Sequence, residues 1–294
     1  MIAPNEPRSA QRRIRRELAQ FDSTATRRRV VVVAAVVALL ACDRGDSATT
    51  KRQPVSSAPS EALAATPGFA RQLAPYTTRT LDSVGRAAGS IEIDGPPPPD
   101  SIIQPTSDQA VCGTGFTRRG IERRGSRPVG VVVWIDGIRS GKALPLERRF
   151  EIANERCVIT PELQTAIAGG TLNVQNLDAV EHRTRITRRE GAELLATIRE
   201  TDEGQVVPNE HVLAKPGVLE ISCAVHAWTH AWIAVFDHPY FGSTGPDGSF
   251  VIDSVPPGRY QLHAWHPRLG PVADSITIEA GKVTTIALRA RAVP

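Results

Sequence analysis

The sequence predicts an all-β chain built as β-sandwiches, and three observations lead to that reading. Apolar residues alternate with small or polar ones in short runs. Leu219, Ile221, Cys223 and Val225 show this period of two, which gives a strand one buried face. Turn signals separate the runs: Asp136-Gly137, Gly169-Gly170, Pro256-Pro257-Gly258 and Ala280-Gly281-Lys282. The runs are also many and short, as in sandwiches and barrels.

The N-terminal segment is of a different kind. Residues 1–29 carry eight arginines against Glu6, Glu17 and Asp22, a net of +5; the whole 294-residue chain is +4, so the remainder is near neutral at −1. The calculated pI near 9.1 is therefore a local property and implies no nucleic-acid partner. Residues 30–41 are twelve consecutive apolar residues directly after Arg27-Arg28-Arg29. That is short for a membrane span and has the form of a secretion signal. A buried helix or a short anchor is the alternative. The run ends Leu39-Leu40-Ala41-Cys42, which resembles the lipobox of bacterial lipoproteins, whose cysteine is lipidated and becomes the mature N-terminus. The expectation is a cytoplasmic tail and signal peptide over 1–41 and lipid on Cys42. The mature protein is then extracytoplasmic and held to a bacterial membrane, in the periplasm or at the cell surface. Residues 42–87, rich at first in Ser, Thr, Ala and Pro, read as a flexible tether. A short helix is expected within 69–88.

Strands follow. Residues 89–95 are broken by the prolines at 96–99, and the Val-rich run 129–135 ends in a turn. Short strands are expected at 149–152 and 157–159, then at 171–176, 183–187 and 193–198. The stretch 217–232 reads as a strand, a tight corner and a further strand that continues to 236. These elements define a first domain, 88–238. From 239 onward Phe250 and Ile252, Tyr260 and Leu262, and Ile276 and Ile278 alternate. This block of 56 residues is near the lower limit for a core of its own, so it is expected to pack against the first domain.

The cysteines are Cys42, Cys112, Cys157 and Cys223. In an oxidising compartment, with Cys42 taken by lipid, Cys112 and Cys157 are natural disulfide partners, and Cys223 is left single. Cys223 is then either a buried core thiol or a metal ligand. His226 follows three residues later, so one corner offers a thiolate and an imidazole. The best third ligand is His182, after the 171–176 strand. A thiolate with two imidazoles and a weak axial contact suits a copper electron-transfer centre.

These residues resemble cupredoxins of the plastocyanin and amicyanin type. In those, one His follows an Asn-containing loop, a Cys-x-x-His pair closes the site, and a Met comes a few residues later. The nearest resemblance is to bacterial secreted plastocyanin-like proteins, some called methylamine-utilisation proteins. Their close is Cys-x-Val-His-x-Trp-Met, then a strand ending Asn-Pro-Tyr-Phe. Here the residues are Cys223-Ala224-Val225-His226-Ala227-Trp228-Thr229, then Asp237-His238-Pro239-Tyr240-Phe241. Val131-Val132-Val133-Trp134 is similar to that group's central strand. The resemblance covers residues 88–294. It implies a cupredoxin-like Greek-key sandwich over 88–238 that binds copper through His182, Cys223 and His226. It also implies electron exchange with an unknown redox protein docking near His226.

Two positions depart from the pattern. Thr229 stands where the family carries its axial Met, so the Thr229 hydroxyl, a backbone carbonyl, a water or His230 is the candidate axial or auxiliary group. Arg183 stands where many cupredoxins have Asn, which bears on the hydrogen bonds behind the ligands. Residues 239–294 resemble the carboxypeptidase regulatory-like (transthyretin-like) sandwich. Similar carbohydrate-binding-like modules occur beside polysaccharide lyase domains, which implies a structural role or glycan contact.

The other candidates are weaker. His263 and His266 point to opposite faces if their strand continues, so they make no joint metal site. His238 reads as a domain-junction residue. There is no Ser-His-Asp order, His-Glu-x-x-His motif or phosphate-cradling glycine pattern, and no enzyme activity is expected. Three functions are in play. One is a lipid-anchored copper electron carrier. Another is a copper-free binding or structural lipoprotein that contacts glycan or another protein. The last is copper handling, with His230 as an extra ligand.

Overall fold

Alternating apolar residues become strands along the whole of the described chain, residues 75–293 of the computed structural model. In chain order the strands of the main sheets are β1 (Gly85–Ile93), β2 (Val132–Asp136), β3 (Arg149–Glu155), β4 (Val158–Thr160), β5 (Leu163–Ile167), β6 (Thr171–Asn176), β7 (His182–Arg188) and β8 (Glu193–Glu200). They continue with β9 (Val206–Asn209), β10 (Gly217–Cys223), β11 (His230–Phe236), β12 (Phe241–Ser243), β13 (Ser249–Val255), β14 (Gly258–His266), β15 (Leu269–Ile278) and β16 (Val283–Ala290). A four-residue helix, α1 (Gln109–Cys112), lies in the connection before β2.

The first sandwich packs sheet β4-β3-β6-β9 on sheet β5-β11-β10-β7-β8. Its core draws Ile152, Ile159, Leu172 and Val174 from one sheet, and Ile186, Leu219, Ile221, Ile233 and Val235 from the other. The second sandwich pairs β12-β2-β14-β15 with β13-β1-β16. Val133, Ile135 and Leu262 meet Ile91, Phe250, Ile252 and Leu288 in its core. Each fully buried aliphatic side chain contributes about 1.5–3 kcal/mol by leaving water.

A third apolar cluster joins the sandwiches: Val132, Trp134 and Trp265 against Val218, Ala234 and Phe236. This explains the unbroken apolar runs in β2 and β11. Val133 and Ile135 face one core while Val132 and Trp134 face the other sandwich, and a strand covered on both faces loses its alternation.

The sheets correct the expected boundary between residues 238 and 239. β1 and β2, assigned from sequence to the first domain, belong to the second sandwich: β1 lies between β13 and β16, and β2 between β12 and β14. Residues 239–294 alone supply too little chain for a core, and the two earlier strands complete it. The stretch 131–134, likened from sequence to a central strand of the plastocyanin-like group, lies in the second sandwich. The expected short helix is absent from residues 75–88, where β1 already begins at Gly85. The tail, the signal, Cys42 and most of the tether lie outside the described residues. Among the described residues no helix is long and apolar enough to cross a membrane.

Candidate metal centre

β7 and β10 are antiparallel neighbours with Thr184 opposite Cys223. His182, Thr184 and Ile186 point inward by the period of two, as do Leu219, Ile221 and Cys223, and all six are buried. The register therefore sets His182, two residues from Thr184 on the same face, diagonally next to Cys223 at the end of β10. After Cys223 the chain turns, with Thr229 N–H donating to the His226 carbonyl at 3.2 Å, and His226 is folded back into the same place.

Three donor atoms meet there. Cys223 Sγ lies 3.7 Å from His182 Nδ1 and 3.7 Å from His226 Nδ1, and the two Nδ1 atoms are 3.1 Å apart. The centre of that triangle is about 2.0 Å from each corner, the length of a metal–imidazole bond. The far side of each ring fixes its tautomer. His182 Nε2–H donates to Asp178 Oδ2 at 2.9 Å, and His226 Nε2–H donates to Asp108 Oδ2 at 3.1 Å. Both Nδ1 atoms are then acceptors facing each other and a sulfur, an arrangement that needs a proton or a metal cation between them. Carboxylate–histidine pairs of this kind orient metal ligands and raise their basicity.

The electrostatics agree. Burial alone would raise the Cys223 thiol, but the contacts with His182 and His226 and the Arg183 N–H outweigh it and bring it down to about 5. Burial opposes a charge on His226, yet Cys223 and Asp108 outweigh that and lift its pKa above the ordinary histidine value. Glu200, opposite His182 in the β7–β8 register, is fully buried, and burial raises its carboxyl to about 7.

The structure brings His182, Cys223 and His226 together. It also joins Cys112 to Cys157 as a disulfide, leaving Cys223 free and buried. Thr229 is buried, and its Oγ1 accepts the Ile159 N–H at 2.7 Å, tying the corner to β4. His230 is outside the cluster, with its Nδ1 3.8 Å from Glu220 Oε1. Arg183 acts through its backbone: its N–H points at Cys223 Sγ at 3.4 Å, while its guanidinium turns outward to Glu181.

His226 has no exposed surface, because the segment before α1 covers it with Asp108. Trp228 packs on the other side, its ring 5.1 Å from His226 and its Nε1–H on the Cys157 carbonyl. His263 and His266 remain apart from each other. His263 stacks on Trp134, and His266 Nδ1 accepts the Arg268 N–H.

Sequence reasoning missed both supporting carboxylates. Asp178 had a usable signal, four residues before His182 in an Asn-led loop. Asp108 had none, being 118 residues from its partner.

Residues 214–286 match the family model described as polysaccharide lyase family 4, domain II. The match runs from β10 to β16, across the boundary expected at 238/239. No curated protein matches the chain. Among solved structures, a purple cupredoxin from Nitrosopumilus maritimus is 18% identical, over 30% of this chain and 99% of that one, with a TM-score of 0.25. A reduced auracyanin from Roseiflexus castenholzii is 14% identical over 31% of this chain and 99% of its own, with a TM-score of 0.26. A copper-containing nitrite reductase from Thermus scotoductus is 18% identical over 34% of this chain and 24% of its own, with a TM-score of 0.27. The class defined by fold and site is an all-β double sandwich with a buried two-histidine, one-cysteine cluster.

Proposed function

We propose that this chain is an extracytoplasmic copper protein that carries single electrons, with His182, Cys223 and His226 as the ligands. One observation carries the reading: two acceptor nitrogens 3.1 Å apart face a low-pKa thiol, with both opposite ring nitrogens committed to carboxylates. Copper bound by such a set cycles between cupric and cuprous states. The protein's part is to hold the donors nearly still. Asp178 and Asp108 orient the rings, the Arg183 N–H supports the sulfur, and burial excludes water. The disulfide supports an oxidising compartment, in keeping with lipid attachment at Cys42 to a membrane facing that compartment. The electron partner is a redox protein that approaches over the Asp108 and Trp228 surface rather than on His226 itself.

The test is copper titration followed by visible and EPR spectra. One equivalent with intense thiolate charge transfer, lost in Cys223→Ser, is expected. Weak, ordinary cupric signals that Cys223→Ser leaves unchanged would overturn the assignment.

A second reading, contact with glycan or protein, is favoured by a groove of about 500 Å³ lined by His230, Trp232, Arg118 and Arg268. An aromatic face beside guanidinium groups suits a polar ring. Binding on a glycan array that survives His182→Ala and Cys223→Ser would support it, and a blank array would remove it.

A further inference from the structure

We propose that the Cys112–Cys157 disulfide clamps both metal-binding histidines, so that its reduction by a dithiol loosens the site's hold on metal. This rests on the reading of His182, Cys223 and His226 as ligands.

Each half of the disulfide belongs to the support of one histidine. Cys157 and its neighbour Arg156 form the β3–β4 turn, and both N–H groups donate to Asp178, at 2.8 and 2.6 Å. Asp178 in turn receives His182 Nε2–H. Glu155 pairs with Val158, so Arg156 and Cys157 are the two central residues of a tight hairpin turn, at φ 50° and φ 58°, a left-handed conformation that non-glycine residues adopt at a cost. That turn has to be held. Cys112 ends α1, and the residue before α1 is Asp108, which receives His226 Nε2–H. Four helical residues are too few to be stable alone. The hydrogen bonds within the segment, Gln109 to the Pro105 carbonyl and Val111 and Cys112 to the Asp108 carbonyl, are local. The covalent link to the sandwich is the disulfide.

The bridge also lies against both rings. Cys112 Sγ, Cys157 Sγ and a His226 nitrogen are within 4.8 Å of one another, as are Cys157 Sγ, an Asp178 oxygen and a His182 nitrogen. One bond between residues 45 apart therefore joins the two carboxylate supports.

The chemistry is thiol–disulfide exchange. Both cysteines are buried, Cys112 the less completely; when the short α1 segment opens, a thiolate of the dithiol attacks Cys112 Sγ, and Cys157 leaves as the thiolate and is protonated. The second thiol of the reductant then displaces Cys112. The protein gains two electrons and two protons, and the reductant becomes a disulfide. Asp108 is then free to leave His226, and the 156–157 turn is free to relax away from Asp178.

The experiment uses the full chain loaded with cobalt(II), which does not oxidise thiols, under argon. Transfer of cobalt to EDTA is timed before and after reduction with dithiothreitol and desalting, and thiol titration checks that two new thiols are present. Release about 10–100-fold faster after reduction is expected, the usual loss when supporting carboxylates are disturbed. The thiolate-to-cobalt band is expected to shift while thermal unfolding still shows a folded protein. Cys112→Ser with Cys157→Ser should release as the reduced protein does. Asp108→Asn, with the disulfide intact, should reproduce part of the effect. Unchanged or slower release in protein carrying the two new thiols would overturn the clamp. If the oxidised chain takes up no cobalt, the ligand assignment itself falls, and the clamp with it.

Discussion

The first sandwich and the second each bury histidines, and they treat them in opposite ways. In the first, His182 and His226 are fully buried, yet each has a carboxylate on one ring nitrogen and a thiol near the other. At the junction and in the second sandwich, His238, His263 and His266 are nearly as buried, and of these His263 alone has a carboxylate beside its ring, Asp136 Oδ2 at 3.7 Å from Nε2, with no thiol on the other side. Burial holds His238 down to about 4 and His266 to about 3, and it lowers His263 against the opposing pull of Asp136. Burial alone makes a histidine a neutral packing group; the carboxylate and the thiolate make it a place for a cation. The difference between the two sets of histidines lies in what stands beside each ring.

The largest effect should come from attacking that pairing directly. Cys223→Ser is expected to lower metal affinity by more than about 100-fold and remove the thiolate absorption. His266→Ala is expected to leave both unchanged while costing about 1–3 kcal/mol of stability, because the Arg268 N–H loses its acceptor. Metal titration and thermal unfolding of the two variants check this. Equal loss of metal in both would end the distinction between the two sets of histidines.

Asp178→Ala is next in size. It removes the acceptor of His182 and of two backbone N–H groups together, so metal affinity should fall about 10–100-fold and stability should fall as well. Competition with a chelator of known affinity measures the first, and denaturant unfolding the second. A stability loss with no change in affinity would mean that Asp178 serves only the turn.

The contrast also explains what was legible in the sequence. The strands were readable because a half-buried strand writes its period locally, and Cys223 with His226 was readable because both lie in one corner. His182 was found because it follows the 171–176 strand in a turn-rich segment. The domain boundary was not readable. β1 and β2 have the same apolar pattern whichever sheet they join, and the choice is made by partners more than 100 residues away, such as Val283–Ala290 for β1. Asp108 was hidden for the same reason. Nothing near it in sequence marks it, and only the folded chain brings it to His226. Long-range pairings leave no local signature.

The pH dependence of metal binding sharpens the comparison further. Cys223, brought down to about 5, is already a thiolate near neutrality, whereas an ordinary thiol near 8.5 would not be. His226, raised above the ordinary histidine value by Cys223 and Asp108 against the effect of burial, lets protons compete with a metal up to a higher pH than an ordinary imidazole would. Affinity should therefore rise with pH through the His226 titration and then level off, with no second rise in the ordinary thiol range. The sign for the metal-free fold follows from the depressed thiol pKa. Its contribution to stability is full above the unfolded thiol's pKa, declines as pH falls, and is gone below about 5. Chelator competition across pH checks the first statement. A further rise in affinity near pH 8–9 would show that Cys223 is an ordinary thiol and not paired with the imidazoles.

The smallest effect separates structure from chemistry at the position where an axial ligand was expected. Thr229 Oγ1 accepts the Ile159 N–H at 2.7 Å, so the hydroxyl joins the Cys223–His226 corner to β4. If that is its role, Thr229→Val leaves a buried N–H without an acceptor and costs about 1–3 kcal/mol, while Thr229→Ser keeps most of the stability. The metal spectrum should be nearly the same in all three proteins, because the three strong donors are untouched. Unfolding and visible spectra of the pair give the answer. A stable Thr229→Val protein with a shifted charge-transfer band would return Thr229 to the metal, and the corner would then need another explanation for its hold on β4.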